Sequence, residues 1–464
     1  MIQHEAEFPS KKDLVSLPLF IKESISKLHP VYFAMVMATG IISINFELLG
    51  LSQAAILLFI INIIIYSSLS LMFLGRIFLF TSEFIKDCSD HQRSPGFFTL
   101  VAANSVLGVQ CYLIAGSPQM AKIFFGLAVF FWVITIYSIF VLLTVKRNKP
   151  AFDEGINGGW LVSIVATQSI PVAGLIFLNP AENNETMLFI LTSFWMCGGM
   201  LYVWIISIIF YRYMFFRFDP NDLMPPYWVN MGAMAISALA GSLLLMKAEG
   251  SALLTPLLPF ITGLTLMSWA TATWWIPMLL VLGIWRHGIR KVRITYSPLY
   301  WGLVFPLGMY SVSTIRLTQI LAVPEWLILV SKIFAVFAIS AWALAFLGMF
   351  TRVLHAISLA LHADSTEVKF LRGSQMKIVI AENKIKRGKK MVIYGLVLII
   401  TGIILYCING FIFGIQTEIS EYFTNKSSLI FYVSLTCILG GTILWITGLM
   451  KYLNGIMEQY QNEG

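Results

Sequence analysis

The sequence predicts an all-α integral membrane protein built from helical hairpins, and three observations carry that prediction. Of its 464 residues, 58% are hydrophobic and only 12% are charged, whereas about a quarter of residues are charged in soluble domains. The charges also leave long gaps. From Pro30 to Leu74 the only one is Glu47, and from Ser94 to Val145 the only one is Lys122. Glu182 and Glu185 alone interrupt Gly155 to Tyr211, and Lys247 and Glu249 alone interrupt Leu223 to Trp285. Thirdly, Lys and Arg collect at every second turn of the chain.

A helix needs roughly 20 apolar residues to cross the hydrocarbon core, so each gap holds two crossings joined by a short polar turn. In order, helices are expected at about 30 to 48, 54 to 80, 96 to 115, 119 to 145, 156 to 178 and 186 to 211. They continue at about 226 to 247, 253 to 285, 298 to 321 and 326 to 352, with a final pair at about 391 to 415 and 428 to 450. That makes twelve crossings. The expected organisation is an N-terminal arm (1–28), a ten-helix core (29–355), a basic linker (356–390), an additional hairpin (391–452) and a tail (453–464).

Cytoplasmic loops carry an excess of Lys and Arg, and this fixes the expected orientation. The arm has Lys11, Lys12, Lys22 and Lys27; later even-numbered boundaries have Arg76, Lys86 and Arg93, then Lys146, Arg147 and Lys149, then Arg212 and Arg217. Arg286, Arg290, Lys291 and Arg293 follow, then the linker from Arg352 to Lys390, then Lys451. The opposite loops hold Glu182, Glu185, Glu249, Glu325, Glu418 and Glu421. Both termini are therefore expected in the cytoplasm and the protein in the inner or plasma membrane. The same bias accounts for the net charge of +8, so no nucleic-acid partner is expected.

The first 28 residues contain Pro9 and Pro18 and lack the apolar core of a secretory signal. Within them Leu17, Phe20, Ile21, Ile25 and Leu28 fall near one helical face, which suits either a helix lying on the inner leaflet or an ordinary connector.

Several chemistries find no support. Cys88, Cys111, Cys197, Cys407 and Cys437 show no paired spacing, so neither a zinc site nor a disulfide framework is expected. All six histidines sit in arms, loops or at helix ends, which disfavours axial ligation of a haem within the bundle. There is no phosphate-binding loop of the Walker type. No cofactor, metal or catalytic residue is expected.

Helices one, three, five, seven and nine carry small or helix-breaking residues at mid-span: Gly40, Gly108, Pro171 with Gly174, Gly232, and Pro306 with Gly308. Their even-numbered partners are bulkier. Small residues and Pro let helices pack closely or bend around a cavity, whereas continuous Leu, Ile and Phe faces suit lipid. The odd helices should be inside. They also carry uncharged polar groups, including Thr39, Asn104, Gln110, Thr167, Gln168, Asn230, Ser311 and Ser313, which either bond between helices or line a pore. No Asp or Glu lies at the centre of the first ten helices, which fits a donor-lined route for a small anion.

Four segments, HPVYFAMVMATGIISI (29–44), GFFTLVAANSVLGVQ (96–110), NGGWLVSIVATQSIPVAG (157–174) and RFDPNDLMPPYWVNMGAMAI (217–236), resemble the tellurite-resistance/dicarboxylate transporter family. Plant guard-cell slow anion channels are distant members of it. The resemblance implies a ten-helix core of five hairpins with odd helices around a central pore and a homotrimer with one pore per subunit. It also implies a pore-obstructing Phe on the ninth helix, at the position that Phe305 holds before Pro306. The resulting pore-lining candidates are Thr39, Gly40, Asn104, Gly108, Gln168, Pro171, Asn230, Gly232, Pro306, Gly308 and Ser311. The resemblance makes C4-dicarboxylates such as malate the leading substrate class, with tellurite, sulfite, halide or nitrate as alternatives. A membrane-embedded cofactor enzyme is the rival from another class; a non-enzyme is expected.

Two cations fall in the outer halves of helices nine and ten, Arg316 and Lys332. Arg316 either snorkels or pairs with Glu325, or else attracts anions at the outer mouth; for Lys332 the structural role is preferred.

Overall fold

The computed structural model describes residues 17–177, 185–369, 384–395 and scattered positions between 397 and 454. The chain divides into two compact units, residues 28–342 and residues 1–27 with 343–464.

In order, the helices are α1 (Leu17–Ser26), α2 (Phe33–Leu48), α3 (Ser52–Leu79), α4 (Thr81–Cys88), α5 (Phe98–Leu113), α6 (Pro118–Val145) and α7 (Phe152–Gly155). Then come α8 (Val162–Phe177), α9 (Glu185–Phe215), α10 (Val229–Met246), α11 (Leu258–Ile284), α12 (Trp301–Ile320) and α13 (Trp326–Lys369). The ten long helices from α2 to α13 match the ten crossings expected between residues 30 and 352 to within a few residues at most ends. The exception is α13, which runs on past 352 because neither Gly nor Pro occurs between Gly348 and Lys369 to stop it. Nine helices among the described residues are long and apolar enough to cross a membrane. The tenth, α12, is less apolar because it carries Ser311, Ser313, Thr314 and Arg316.

Two layers result. α2 packs on α5, α5 on α8, α8 on α10, α10 on α12, and α12 back on α2, so five helices close into a ring. Each is followed by an outer helix that folds back along it. The apolar windows of α2, α5, α8 and α10 are 83–89% buried, while those of α3, α6, α9, α11 and α13 are 22–33% buried. This separates inner from outer as the residue sizes predicted. The outer faces present Ile56, Leu57, Ile60 and Ile64 on α3, and Phe130, Ile134 and Tyr137 on α6, side chains suited to hydrocarbon.

A cation at or near the end of four outer helices is tied to a segment that connects two crossings. Arg76 pairs with Asp87 at 2.5 Å, and Lys146 Nζ donates to Ser89 O at 2.7 Å. Arg212 donates to Tyr227 Oη and lies 3.5 Å from Asp222, and Arg286 donates to Leu223 O. All four belong to the end of the molecule expected to face the cytoplasm.

In the smaller unit, α1 carries the Glu23–Lys27 pair at 3.6 Å. A Cβ placed on Gly388 would lie 2.6 Å from Tyr452 N, and one on Gly448 2.7 Å from Val392 N, so two helical segments cross there backbone to backbone. Most of the expected final hairpin, with Glu418 and Glu421, lies outside the described residues, as does Glu182.

Candidate functional site

Along the axis of the ring lies a cavity with about 480 Å³ of space free of atoms, its open mouth included. All five inner helices line it, each with residues three or four apart, which is the spacing of one helical face. α2 contributes Ile41, Ile44 and Leu48; α5, Ser105, Val106, Val109 and Leu113; α8, Ser169, Val172 and Ile176; α10, Ile236, Leu239 and Leu243; and α12, Met309, Val312 and Arg316. The wall is aliphatic apart from two serines near the foot and one cation near the mouth.

Arg316 is the one charged side chain in that wall. It does not pair with Glu325; its Nη1 donates to Gln319 Oε1 at 2.8 Å, and no carboxylate among the described residues forms an ion pair with it. Of the carboxylates of this end, Glu47 accepts from Ser52 Oγ, and Glu185 accepts from Ser251 Oγ and from the amides of Ala252 and Leu253. At the foot, Ser169 Oγ lies 3.0 Å from Ser105 Oγ and donates to Ala166 O at 2.7 Å. Lys332, on the outer helix α13, is not part of the wall.

Phe305 is 0% exposed. It precedes Met309 by four residues, and 305, 309, 312 and 316 form one stripe on α12. Helical spacing therefore puts Phe305 about one turn below the foot of the cavity, about 6 Å farther from the mouth. Beside it, α10 and α12 approach so closely that a Cβ on Gly232 would lie 2.8 Å from Pro306 Cγ. Pro306 has no amide hydrogen for the carbonyl one turn back.

None of the small and polar residues expected to line the path lines this cavity. Thr39 Oγ1 accepts from Trp342 Nε1 on α13, and Asn104 Oδ1 accepts from Tyr66 Oη on α3. Gln168 donates to Trp195 O on α9, Asn230 donates to Tyr213 Oη on α9, and Ser311 Oγ donates to Ser331 O on α13. Gly40 leaves room for the Asn62–Gln110 amide pair, since an added Cβ would lie 3.0 Å from both. Gly108 faces Phe124 and Ala121 of α6, Gly308 packs on Ile41 and Ile42, and Pro171 is buried within α8. The physical reason is one of satisfaction. A polar group held in hydrocarbon needs a fixed partner, and the neighbouring outer helix supplies one. The polar residues of the inner helices therefore bind the two layers together and leave aliphatic side chains to face the axis.

The other end of the ring shows a feature that was not anticipated. Each inner helix begins with a 3₁₀ turn, at Pro30–Tyr32, Ser94–Phe97, Gly158–Leu161, Pro225–Trp228 and Pro298–Tyr300. Each turn touches the next and the last touches the first, so the turns form a second closed ring. The signal was legible: HPVYF, SPGFF, NGGWL, MPPYW and SPLYW place Pro or Gly second and an aromatic ring fourth, once per hairpin. Pro fits a first turn because its missing donor is one that the turn leaves unused. His29, Asn157 and Ser297 cap three of the turns by accepting from the backbone two residues on. His29 is held neutral, its pKa lowered from 6.5 to about 3 by burial and by the nearby charges of Arg93 and Arg76. Those arginines share Asp87, which Arg93 grips with two bonds of 2.7 and 3.1 Å. Just outside the spans, burial also pushes the Cys88 thiol up to about 11.

Five helices closed around an axial cavity, jacketed by five with lipid-suited faces, make the architecture of a membrane channel or transporter. The chain belongs to the voltage-dependent anion channel family, whose model matches residues 27–350. This bears out the resemblance read from the four segments. An uncharacterized transporter of Methanocaldococcus jannaschii is 24% identical over 299 residues, 62% of this chain and 84% of that protein. A sulfite efflux pump of Arthroderma benhamiae is 22% identical over 344 residues, 70% of this chain and 90% of that protein. An uncharacterized membrane protein of Mycobacterium tuberculosis is 41% identical over 118 residues, which cover 25% of this chain and 59% of that protein.

Proposed function

We propose that this chain passes small anions across the cell membrane along the axis of the five-helix ring, with Phe305 as the obstruction below the cavity. The observation that carries this reading is a cavity lined by all five inner helices whose only charged residue is Arg316 and which holds no carboxylate. Among substrate classes, a small oxyanion such as sulfite is favoured over C4-dicarboxylates such as malate. Support comes from the sulfite efflux pumps among the relatives and from a wall that offers one cation where a dicarboxylate brings two carboxylates. The chain acts as a transport protein and not as an enzyme. Both termini face the cytoplasm, in keeping with the Lys and Arg asymmetry, and the resemblance supports a homotrimer with one path in each subunit.

The test is anion flux into liposomes carrying purified protein, with nitrate, chloride, sulfite and malate as the panel. Removing the ring in Phe305→Ala widens and wets the narrow point, and lowering a barrier by about 1.4 kcal/mol raises a rate about tenfold. Basal flux should rise by at least that factor. A folded variant with unchanged flux removes Phe305 from the path.

A further inference from the structure

Four segments connect crossings at the 3₁₀-turn end of the larger unit, and one of them differs from the rest in charge. Between Arg76 and Arg93 three cations accompany three carboxylates, between Lys146 and Asn157 three accompany two, and between Arg212 and Asp222 two accompany two. From Arg286 to Arg293 there are four cations, and no Asp or Glu occurs anywhere from Gly250 to Pro324. The rule that orients membrane proteins counts Lys and Arg and is nearly indifferent to Asp and Glu. It accounts for the cations of all four segments, but not for the missing carboxylates of the fourth.

The backbone of that segment is folded to hold its cations outward. α11 runs on into a π-helical turn, Trp285–Ile289. Arg290 N then donates to Trp285 O at 2.9 Å, Val292 N donates to Arg286 O at 3.1 Å, and His287 Nδ1 lies 2.8 Å from Val292 O. Arg286 is turned to Leu223 O. Arg290, Lys291 and Arg293 are exposed, and none of them forms an ion pair among the described residues. Lys291 has φ 52, a left-handed conformation that suits Gly or Asn better, yet the position holds a cation.

The segment also leaves its helix on the side that faces lipid. Leu280, Val281 and Ile284 of α11 are 51–65% exposed, and they end at Trp285, a residue type that prefers the boundary between hydrocarbon and water. The Arg290 guanidinium lies over the Trp285 ring, 5.8 Å from its centroid. On either side of the cations, Ile289 and Ile294 are 69% and 72% exposed. Aliphatic side chains alternate here with unpaired cations at the level of the headgroups.

We infer that Arg290, Lys291 and Arg293 bind the headgroup of an anionic phospholipid, with Ile289 and Ile294 set against its acyl chains. The guanidiniums offer forked donors that match phosphate oxygens, and the bonds that fix the segment beforehand keep the ordering cost of binding low. Free phosphate meets the same cations but gains nothing from the two isoleucines. The site is independent of the conduction reading above.

The experiment titrates intact protein in a neutral detergent with phosphatidylglycerol or phosphatidylcholine and counts bound lipids by native mass spectrometry. Phosphatidylglycerol should bind at least about tenfold more tightly, and added salt should narrow the difference. Each cation near a lipid surface strengthens binding about fivefold at low ionic strength. Arg290→Gln, Lys291→Gln and Arg293→Gln together should therefore weaken phosphatidylglycerol binding about a hundredfold and leave phosphatidylcholine unchanged. A control with the same change of charge, Lys86→Gln with Arg147→Gln and Lys149→Gln, alters the segments that do carry carboxylates and should bind like the parent. Equal binding of the two lipids, or an equal loss in the control, overturns the inference. Inorganic phosphate or glycerol phosphate binding as tightly as phosphatidylglycerol also overturns it, since the site then takes a soluble anion. If the triple variant does not fold, the three single Gln variants decide: each should weaken phosphatidylglycerol binding about fivefold, and three unchanged affinities refute the site.

Discussion

Asp87 is the place where the fold at the 3₁₀-turn end can be tested with a calculated magnitude. Its carboxylate is 8% exposed and serves two guanidiniums, Arg76 at 2.5 Å, itself 4% exposed, and Arg93 at 2.7 Å, which is 33% exposed. Arg76 already has Nε and Nη1 without partners, so Asp87 is its main compensation. Breaking a buried pair by removing one partner costs about 3 to 5 kcal/mol, because the remaining charge stays buried. Arg93 can turn to water and adds little. At roughly 2 to 4 °C per kcal/mol, Asp87→Ala should lower the apparent melting temperature by about 6 to 20 °C. The assay is size-exclusion chromatography of detergent-solubilised protein after heating in steps. A companion variant, Asp87→Leu with Arg76→Met, removes both buried charges. It should recover most of the loss, since apolar replacements of a buried pair are often neutral or better. An Asp87→Ala protein that melts within a degree or two of the parent, or a double variant as unstable as the single one, refutes this account of the cluster.

His29 gives a pH prediction with a definite sign. Its folded pKa of about 3 lies below the unfolded 6.5, so the unfolded chain takes up a proton first as pH falls. The stabilisation is therefore complete above about 6.5 and is lost as pH drops through the window down to about 3. His29→Gln should show a shallower loss of melting temperature across that window than the parent. At the α10–α12 contact, Gly232→Val forces a side chain into Pro306, and overpacking of this kind costs about 1 to 3 kcal/mol. Gly126→Ala, with open space around it, should be neutral, and equal melting of the two would count against the contact. Orientation is checked with single cysteines in a background free of native ones. Glu249→Cys should react with an impermeant maleimide added outside cells, and Lys149→Cys and Arg290→Cys should react only after lysis.

The crossings and the layers were legible in the sequence because one solvent, lipid, acts on every residue in the same way. Twenty apolar residues between charges can only be a span, and small residues at mid-span of alternate helices can only be useful where helices crowd. The Lys and Arg bias at alternate turns was equally plain, although the bonds those cations make, such as Arg212 to Tyr227 and Arg286 to Leu223, depend on loops brought together by the fold. The 3₁₀ ring left a repeat in the sequence, Pro or Gly followed two residues later by an aromatic. It appears only when the five hairpins are laid over one another, because no single copy differs from an ordinary helix start.

Which way each inner-helix side chain faces was not legible. Thr39, Asn104 and Gln168 are as suitable for an anion as for a Trp or a Tyr on a neighbouring helix, and composition cannot choose between the two. Tertiary structure chose the neighbour, because a partner fixed in hydrocarbon is available throughout the life of the fold and an anion is not. The same uncertainty covered Arg316, which the sequence allowed to pair with Glu325 or to face the path. The angular register of α12 within the ring decided it: the stripe that carries Met309 and Val312 to the axis carries Arg316 there as well. Periodicity gives a helix its faces, and only the packing of five helices around one axis determines which face each of them turns inward.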